Sequence, residues 1–331
     1  MIAEKLRAHT GLESSFIVGD LDAPAPNVPC EAVKLPNRSE RELSGLLRNT
    51  SKVVLHFAGY GYARRGVPFW LAASLRRWSS EVNNRLAIVF HELYATGPVW
   101  TSAFWLSPAQ RSIARTLAAA ATESIGTRRV VTDQLSKWNG GLDRITLLPI
   151  VSTVGETSDP ASIDSRARRL IVFGGAGMRA RAYQCMKELQ RACELLGIEE
   201  IIDIGPPLPT EVNPPGFSRW TALGVLPPAE VSQLMSTSAA GFVSYYPECL
   251  SKSSIFAAYA AHGLVPITPG DQESELDGVI AGVHYLVPDS VSRQVQSVAS
   301  AAHAWYRGHS SDVYASKISS ILSDGTATSA N

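Results

Sequence analysis

Four runs of apolar residues constrain this chain more than any other feature. "KVVLHFAG" (52–59), "RLAIVFHE" (85–92), "RLIVFGGAG" (169–177) and "AAGFVSYY" (239–246) have strand length and no polar–apolar alternation. A strand that is apolar on both faces has to be covered on both, which is the condition of a parallel sheet flanked by helices. Segments of helical spacing stand between them. "SERELSGLLRN" (39–49) opens with Ser39 as N-cap and Glu42 at the capping-box position. "PFWLAASLRRWSSEV" (68–82) carries Pro68 in its first turn, and "SPAQRSIARTLAAAA" (107–121) starts with Ser107 as cap and Pro108 behind it.

The alternation runs twice. With 331 residues the chain exceeds what one core usually fills. Residues 151–165, "VSTVGETSDPASIDS", break the pattern and read as a linker. The expected division is a first domain over 1–150, a second over 166–309, and a terminal helix and tail over 310–331. In the second domain "RAYQCMKELQRACELLGI" (181–198), "PPAEVSQLMSTS" (227–238) and "KSSIFAAYAAHG" (252–263) are expected helices, and "EEIIDIG" (199–205) and "LVPITP" (264–269) further strands.

Composition narrows the function. Lys plus Arg equals Asp plus Glu at 30 each, so the formal net charge is +0. A nucleic-acid partner normally leaves a basic excess, and none is expected here. No run is long and apolar enough for a transmembrane helix, and the N-terminus lacks the apolar core of a signal peptide. Cys30, Cys185, Cys193 and Cys249 are scattered, without a CxxC pair. A structural metal and a disulfide framework are therefore not expected, and the chain reads as cytoplasmic.

In open parallel sheets, ligands gather beyond the C-terminal ends of the strands. Two first-domain strands deliver "GYGYARRG" and "HELYATGPVW" there. His91 and Glu92 could take a proton from an acceptor hydroxyl or hold sugar hydroxyls, or else satisfy the backbone locally. Gly59 beside Tyr60 permits close approach of backbone to a ligand, or makes a simple turn. Arg64, Arg65, Arg76 and Arg77 interleave with Phe69, Trp70 and Trp78. Such a mixture is a peripheral membrane surface, a site for an anionic acceptor, or a solvated face over core aromatics.

In the second domain, "VFGGAGMRAR" places Gly174, Gly175 and Gly177 after a strand, with Arg179 and Arg181 behind them. Glycine turns expose N–H groups, and arginine grips phosphate bidentately. A packing turn fits the same residues. "YYPECLSKSSIFAAYAAHG" puts Ser251, Lys252 and Ser253 at a helix N-terminus, which suits a diphosphate or an ordinary serine cap. Gly224 and Leu226 form a turn that could rim a nucleotide base.

Together, the glycine turn, "LGVLPPAEVSQLMSTSAAGFVSY" and "LSKSSIFAAYAAHGLVPI" resemble glycosyltransferases of the GT-B fold, in the style of the family 4-like group. The resemblance spans roughly residues 50–290. It implies an α/β protein of two Rossmann-like domains with parallel sheets and a cleft between them. It further implies a nucleotide-diphosphate sugar held by the second domain, a hydroxyl acceptor held by the first, and no metal or other cofactor. Arg179 and Lys252 match the family's diphosphate-binding positions, and His91 its sugar-site histidine. The E-x7-E pair of the group is absent, because Phe256 stands eight residues after Glu248. The opening strand and its glycine loop also have no counterpart, with residues 1–14 reading as the helix that follows them.

The expected function is a glycosyltransferase of polysaccharide or glycoconjugate synthesis, placed in the cytoplasm or at the inner face of a membrane. The alternatives are a nucleotide-sugar epimerase of the same fold and a silent nucleotide-sugar-binding partner.

Overall fold

The unalternating strands are parallel, and their neighbours in space follow from which faces they bury. The computed structural model describes residues 2–18, 31–141, 143–208, 219–270, 275–288 and 294–323. Cys30 lies outside these residues. Contacts divide the chain into two units, 1–149 with 314–331, and 150–313.

The first unit begins with α1 (Ile2–Thr10), β1 (Phe16–Val18), β2 (Ala32–Lys34) and α2 (Glu40–Leu46). It continues with β3 (Lys52–Phe57), α3 (Gly59–Tyr62), α4 (Phe69–Ser79), β4 (Arg85–Phe90) and α5 (Ser102–Ala120). β5 (Glu123–Gly126), α6 (Arg129–Asn139) and β6 (Ile145–Leu147) complete it. β3, β4, β5 and β6 lie in that order in one parallel sheet, with Lys52 opposite Arg85 and Phe57 opposite Phe90. β1 and β2 form a separate parallel pair. Leu55, Phe57, Leu86, Ile88 and Phe90 meet α4 and α5 in one core. Each such side chain contributes about 1.5–3 kcal/mol by leaving water.

The second unit holds β7 (Ala167–Phe173), α7 (Ala176–Gln184), α8 (Met186–Leu196), β8 (Glu200–Ile204), β9 (Trp220–Gly224) and α9 (Pro228–Thr237). β10 (Ser238–Phe242), α10 (Ser254–Ala261), β11 (Val265–Ile267), the antiparallel pair β12 (Glu275–Leu276) and β13 (Val279–Ile280), and α11 (Val295–Arg307) follow. The last helix, α12 (Ser311–Leu322), passes from the second unit into the first. The five-stranded sheet runs β11-β10-β7-β8-β9 and is parallel throughout. The chain therefore steps from β7 to β9 on one side, then crosses to β10 and β11 on the other. The direction of winding reverses between β7 and β10, which opens a crevice beyond their C-terminal ends.

Several expectations change. Residues 151–165 are no free linker: Ser152, Val154 and Ile163 are buried, and Glu156 accepts hydrogen bonds from the Tyr306 and Ser311 hydroxyls at 2.6 Å each. Their polar composition serves α11 and α12 rather than water. The helix expected from Ser107 starts at Ser102, with Pro108 inside it. The helix expected over 181–198 is two helices, α7 and α8, joined at Cys185, whose φ of −93° and ψ of 50° are not helical.

Candidate functional site

At the β7–β10 crossing, backbone shape comes first. Gly174 follows β7 with φ +129°, and a Cβ there would lie 2.5 Å from Ile255 Cδ1 of α10. Only glycine fits both conditions. Gly175 caps α7 and is exposed, so the first N–H groups of a nine-residue helix open at this edge. Arg181, one turn on, donates to the Tyr246 hydroxyl at 3.0 Å and lies over its ring at 5.0 Å. Tyr246 belongs to the segment after β10, so this pair spans the crossing. Lys252 ends the 3₁₀ turn Pro247–Lys252 that leads into α10 and is half-buried.

Three expected ligand-binding residues, Arg179, Ser251 and Ser253, are turned to other partners. Arg179 does not point at a phosphate. Its guanidinium is 1 % exposed and donates to Asp203, to the Gly174 carbonyl at 3.0 Å and to the Pro206 carbonyl. The arginine thus ties the glycine turn to β8. Ser251 is buried and donates to Asp277 Oδ2 at 2.8 Å. Ser253 caps α10 by accepting from the Phe256 N–H at 3.2 Å. The Gly224 carbonyl accepts from Gly205 N–H at 2.9 Å, and Leu226 packs on the core beside it. Phe256, where the E-x7-E pair would place its second carboxylate, is fully buried against Tyr285 and Trp305.

The first unit brings another cluster to the C-terminal edge of its sheet. His91 directly follows β4, and its N–H donates to the Phe57 carbonyl at 3.0 Å. The register places His56 opposite Val89, so His91 falls two residues on along the same face, diagonal to His56. The two imidazoles meet at 3.1 Å, His56 Nδ1 to His91 Nε2, with rings nearly parallel at 22°. The pKa of His56 is pushed down to about 4, first by desolvation and then by the neighbouring imidazole. The Tyr62 hydroxyl donates to the His56 carbonyl at 2.7 Å. Beside the pair lies an apolar cavity of about 670 Å³, lined by Leu35, Val54, Leu71 and Tyr62 as well as His56. Glu92 is exposed.

Gly59 and Tyr60 belong to a helical turn, α3, not to an open glycine loop. A Cβ on Gly59 would come 2.8 Å from the Gly66 carbonyl oxygen. Gln110, buried in α5, binds this turn to the loop after β4. Its Oε1 accepts from Ala95 N–H at 2.7 Å, and its Nε2 donates to the Arg65 carbonyl at 3.0 Å and the Tyr60 hydroxyl at 3.3 Å. Gln110→Leu is expected to lower the unfolding free energy by about 1–3 kcal/mol, since it strands a backbone N–H and a carbonyl. Denaturant unfolding with limited proteolysis of residues 60–66 and 93–100 would measure it; unchanged values on both would remove Gln110 as the tie.

Sequence reasoning passed over His56 and Gln110. The available signal for His56 was one imidazole inside an otherwise apolar strand. Gln110 offered none, because its three partners lie 15 to 50 residues away.

No family model matches this chain, and no curated protein matches its sequence. Solved structures do match its backbone. An alpha-glucosyltransferase in complex with UDP-glucose and DNA containing an abasic site superposes with a TM-score of 0.57 at 8% identity, over 97% of this chain and 95% of that one. The fold is GT-B. A putative UDP-N-acetylglucosamine 2-epimerase from Listeria monocytogenes gives 0.57 at 12% identity over 96% and 89% of the two chains. Anabaena HepE in complex with UDP and glucose gives 0.55 at 12% identity over 89% and 86%. Within the GT-B fold, the β7–β10 crossing and the His56–His91 edge both gather polar groups at strand ends. Among the described residues no helix is long and apolar enough to cross a membrane, and no cluster of three or more metal-ligating side chains occurs.

Proposed function

We propose that this protein is a glycosyltransferase that moves a sugar from a nucleotide-diphosphate sugar to a hydroxyl acceptor. The observation that carries the reading is the β7–β10 crossing. A glycine turn, an open helix N-terminus and Arg181 on Tyr246 gather where a Rossmann-like sheet reverses its winding, and Lys252 ends the turn that leads into α10. Helix N–H groups and cations there suit a diphosphate, and they stabilise the charge that grows on it as the glycosidic bond breaks. The acceptor hydroxyl loses its proton on the first unit, to the His56–His91 pair. Its oxygen takes the anomeric carbon, and the nucleoside diphosphate leaves with the bonding electrons. No metal is required for this assignment of roles.

UDP is the first probe, because the alpha-glucosyltransferase above is in complex with UDP-glucose and HepE with UDP. Calorimetry should show UDP binding without added metal. Lys252→Ala is expected to weaken it by about ten- to a hundredfold, the loss of a charge-assisted hydrogen bond of about 1.5–3 kcal/mol. Affinity within about twofold of the wild type would remove Lys252 from the donor site. The likeness to the epimerase favours a second reading, in which the same donor site serves inversion at a sugar carbon. Incubation with UDP-N-acetylglucosamine, followed by proton NMR, separates the two: a new epimer without any acceptor would displace the transferase.

A further inference from the structure

Two stretches of the first unit contain no acidic residue at all. Residues 57–80 and 93–122 hold Arg64, Arg65, Arg76, Arg77, Arg111 and Arg115, six positive charges, in a chain whose formal net charge is +0. The compensating carboxylates therefore lie elsewhere. Gln110 joins the two stretches, with the Arg65 carbonyl and Ala95 N–H on one side chain. α4 and α5, which continue them, pack side by side.

This edge also exposes large aromatics. Trp100 is 83 % exposed, Trp105 72 %, Phe69 59 % and Phe104 41 %, and Arg64 and Arg65 are exposed with them. Phe104 and Trp105 stack edge to face at 5.3 Å, so the two rings form one projecting group. Single exposed apolar residues are ordinary, but four exposed aromatics at the starts of α4 and α5 and in the loop before α5, two of them in contact, mark an interaction surface.

We propose that this edge docks on an anionic lipid bilayer, with Trp100, Phe104, Trp105 and Phe69 entering the headgroup layer and Arg64 and Arg65 lying against lipid phosphates. Tryptophan prefers that layer because its ring is apolar and its N–H is polar. Arginines in stretches of sequence without carboxylates complement the negative potential of the surface, each by about fivefold in partitioning. Charge and aromatic exposure coincide at the strand ends that carry His91, so docking would bring a membrane-borne hydroxyl acceptor to the imidazole pair. That last step rests on the glycosyltransferase reading; the docking does not.

The test is vesicle co-sedimentation of the full chain, without donor or acceptor. Vesicles of phosphatidylcholine with about a third phosphatidylglycerol should bind it, with a blue shift of tryptophan fluorescence, and phosphatidylcholine alone should bind it at least about tenfold more weakly. Arg64→Gln with Arg65→Gln should lower binding to the anionic vesicles by about tenfold or more, and raised salt should act in the same direction. Trp100→Ser with Trp105→Ser should lower it at least as much and abolish the blue shift. Each variant is accepted only if its thermal unfolding matches the wild type. Three results would overturn the proposal: no binding to any vesicle, unchanged binding of the tryptophan variant, or a concentration-dependent dimer that the tryptophan variant loses. Vesicle binding with no sugar transfer would leave the docking intact and sink the catalytic reading alone.

Discussion

Arg179→Met is expected to lower the unfolding free energy of the second unit by about 3–5 kcal/mol, the usual result of removing one partner from a buried ion pair. Asp203 would be left buried with only the Tyr183 hydroxyl, which donates to its Oδ2 at 2.6 Å. That hydroxyl is itself held against ionisation, since burial and then the bond to Asp203 raise its pKa. The Gly174 and Pro206 carbonyls would lose their donor at the same time. The glycines around it cannot absorb the change: a Cβ at Gly205 would overlap the Gly174 carbonyl oxygen, so β7 and β8 meet here backbone to backbone. Urea unfolding measures the effect. A variant that unfolds like the wild type yet loses UDP affinity would return Arg179 to the diphosphate, where its position after the glycine turn suggested it should be.

Arg179 also shows why some of the site was legible and some was not. Most strands of the two sheets could be read because burial on two faces favours apolar residues, as in "RLAIVF" of β4, which is buried almost throughout. Gly174 could be read because a turn between a strand and a helix has few solutions. The role of Arg179 depends on Asp203, 24 residues on, and local spacing carries no trace of that pairing. Ser251 fails for the same reason, its partner Asp277 lying 26 residues away. β5 escaped notice because "ESIG" is four residues long and starts with a glutamate, which faces Thr146 and Lys317. α3 escaped because two of its four residues are glycine, which disfavours helix; the turn is fixed instead by Gly66 packed beneath Gly59. Ser107 and Pro108 gave a helix-start signal that misplaced the start, because α5 begins at Ser102 and its exposed first turns tolerate the missing N–H of Pro108.

His91→Ala is expected to reduce kcat for sugar transfer by about a hundred- to ten-thousandfold, the range for a lost general base, with the KM for donor unchanged. His56→Leu tests the pair itself. The pKa of His56 lies below the ordinary imidazole value of 6.5. Protonating both rings would set two cations 3.1 Å apart, so their titrations are coupled. Tyr62 on α3 donates to the His56 carbonyl, Glu92 follows His91 in sequence, and desolvation and then His91 lower the pKa of His56. A proton on His91 is stabilised where His91 Nε2–H donates to His56 Nδ1, as a charge-assisted bond. Leucine at 56 removes that acceptor, so imidazolium at 91 becomes harder to form. The acid limb of the kcat–pH profile should then move to lower pH while kcat falls, and asparagine at 56, with an oxygen near the Nδ1 position, should restore part of both. Proton NMR of the imidazoles follows the same titration without turnover. A His56→Leu enzyme with the wild-type profile would reduce the contact to packing, and a His91→Ala enzyme within tenfold of the wild type would shift the proton to the departing phosphate, which then has to serve as its own base.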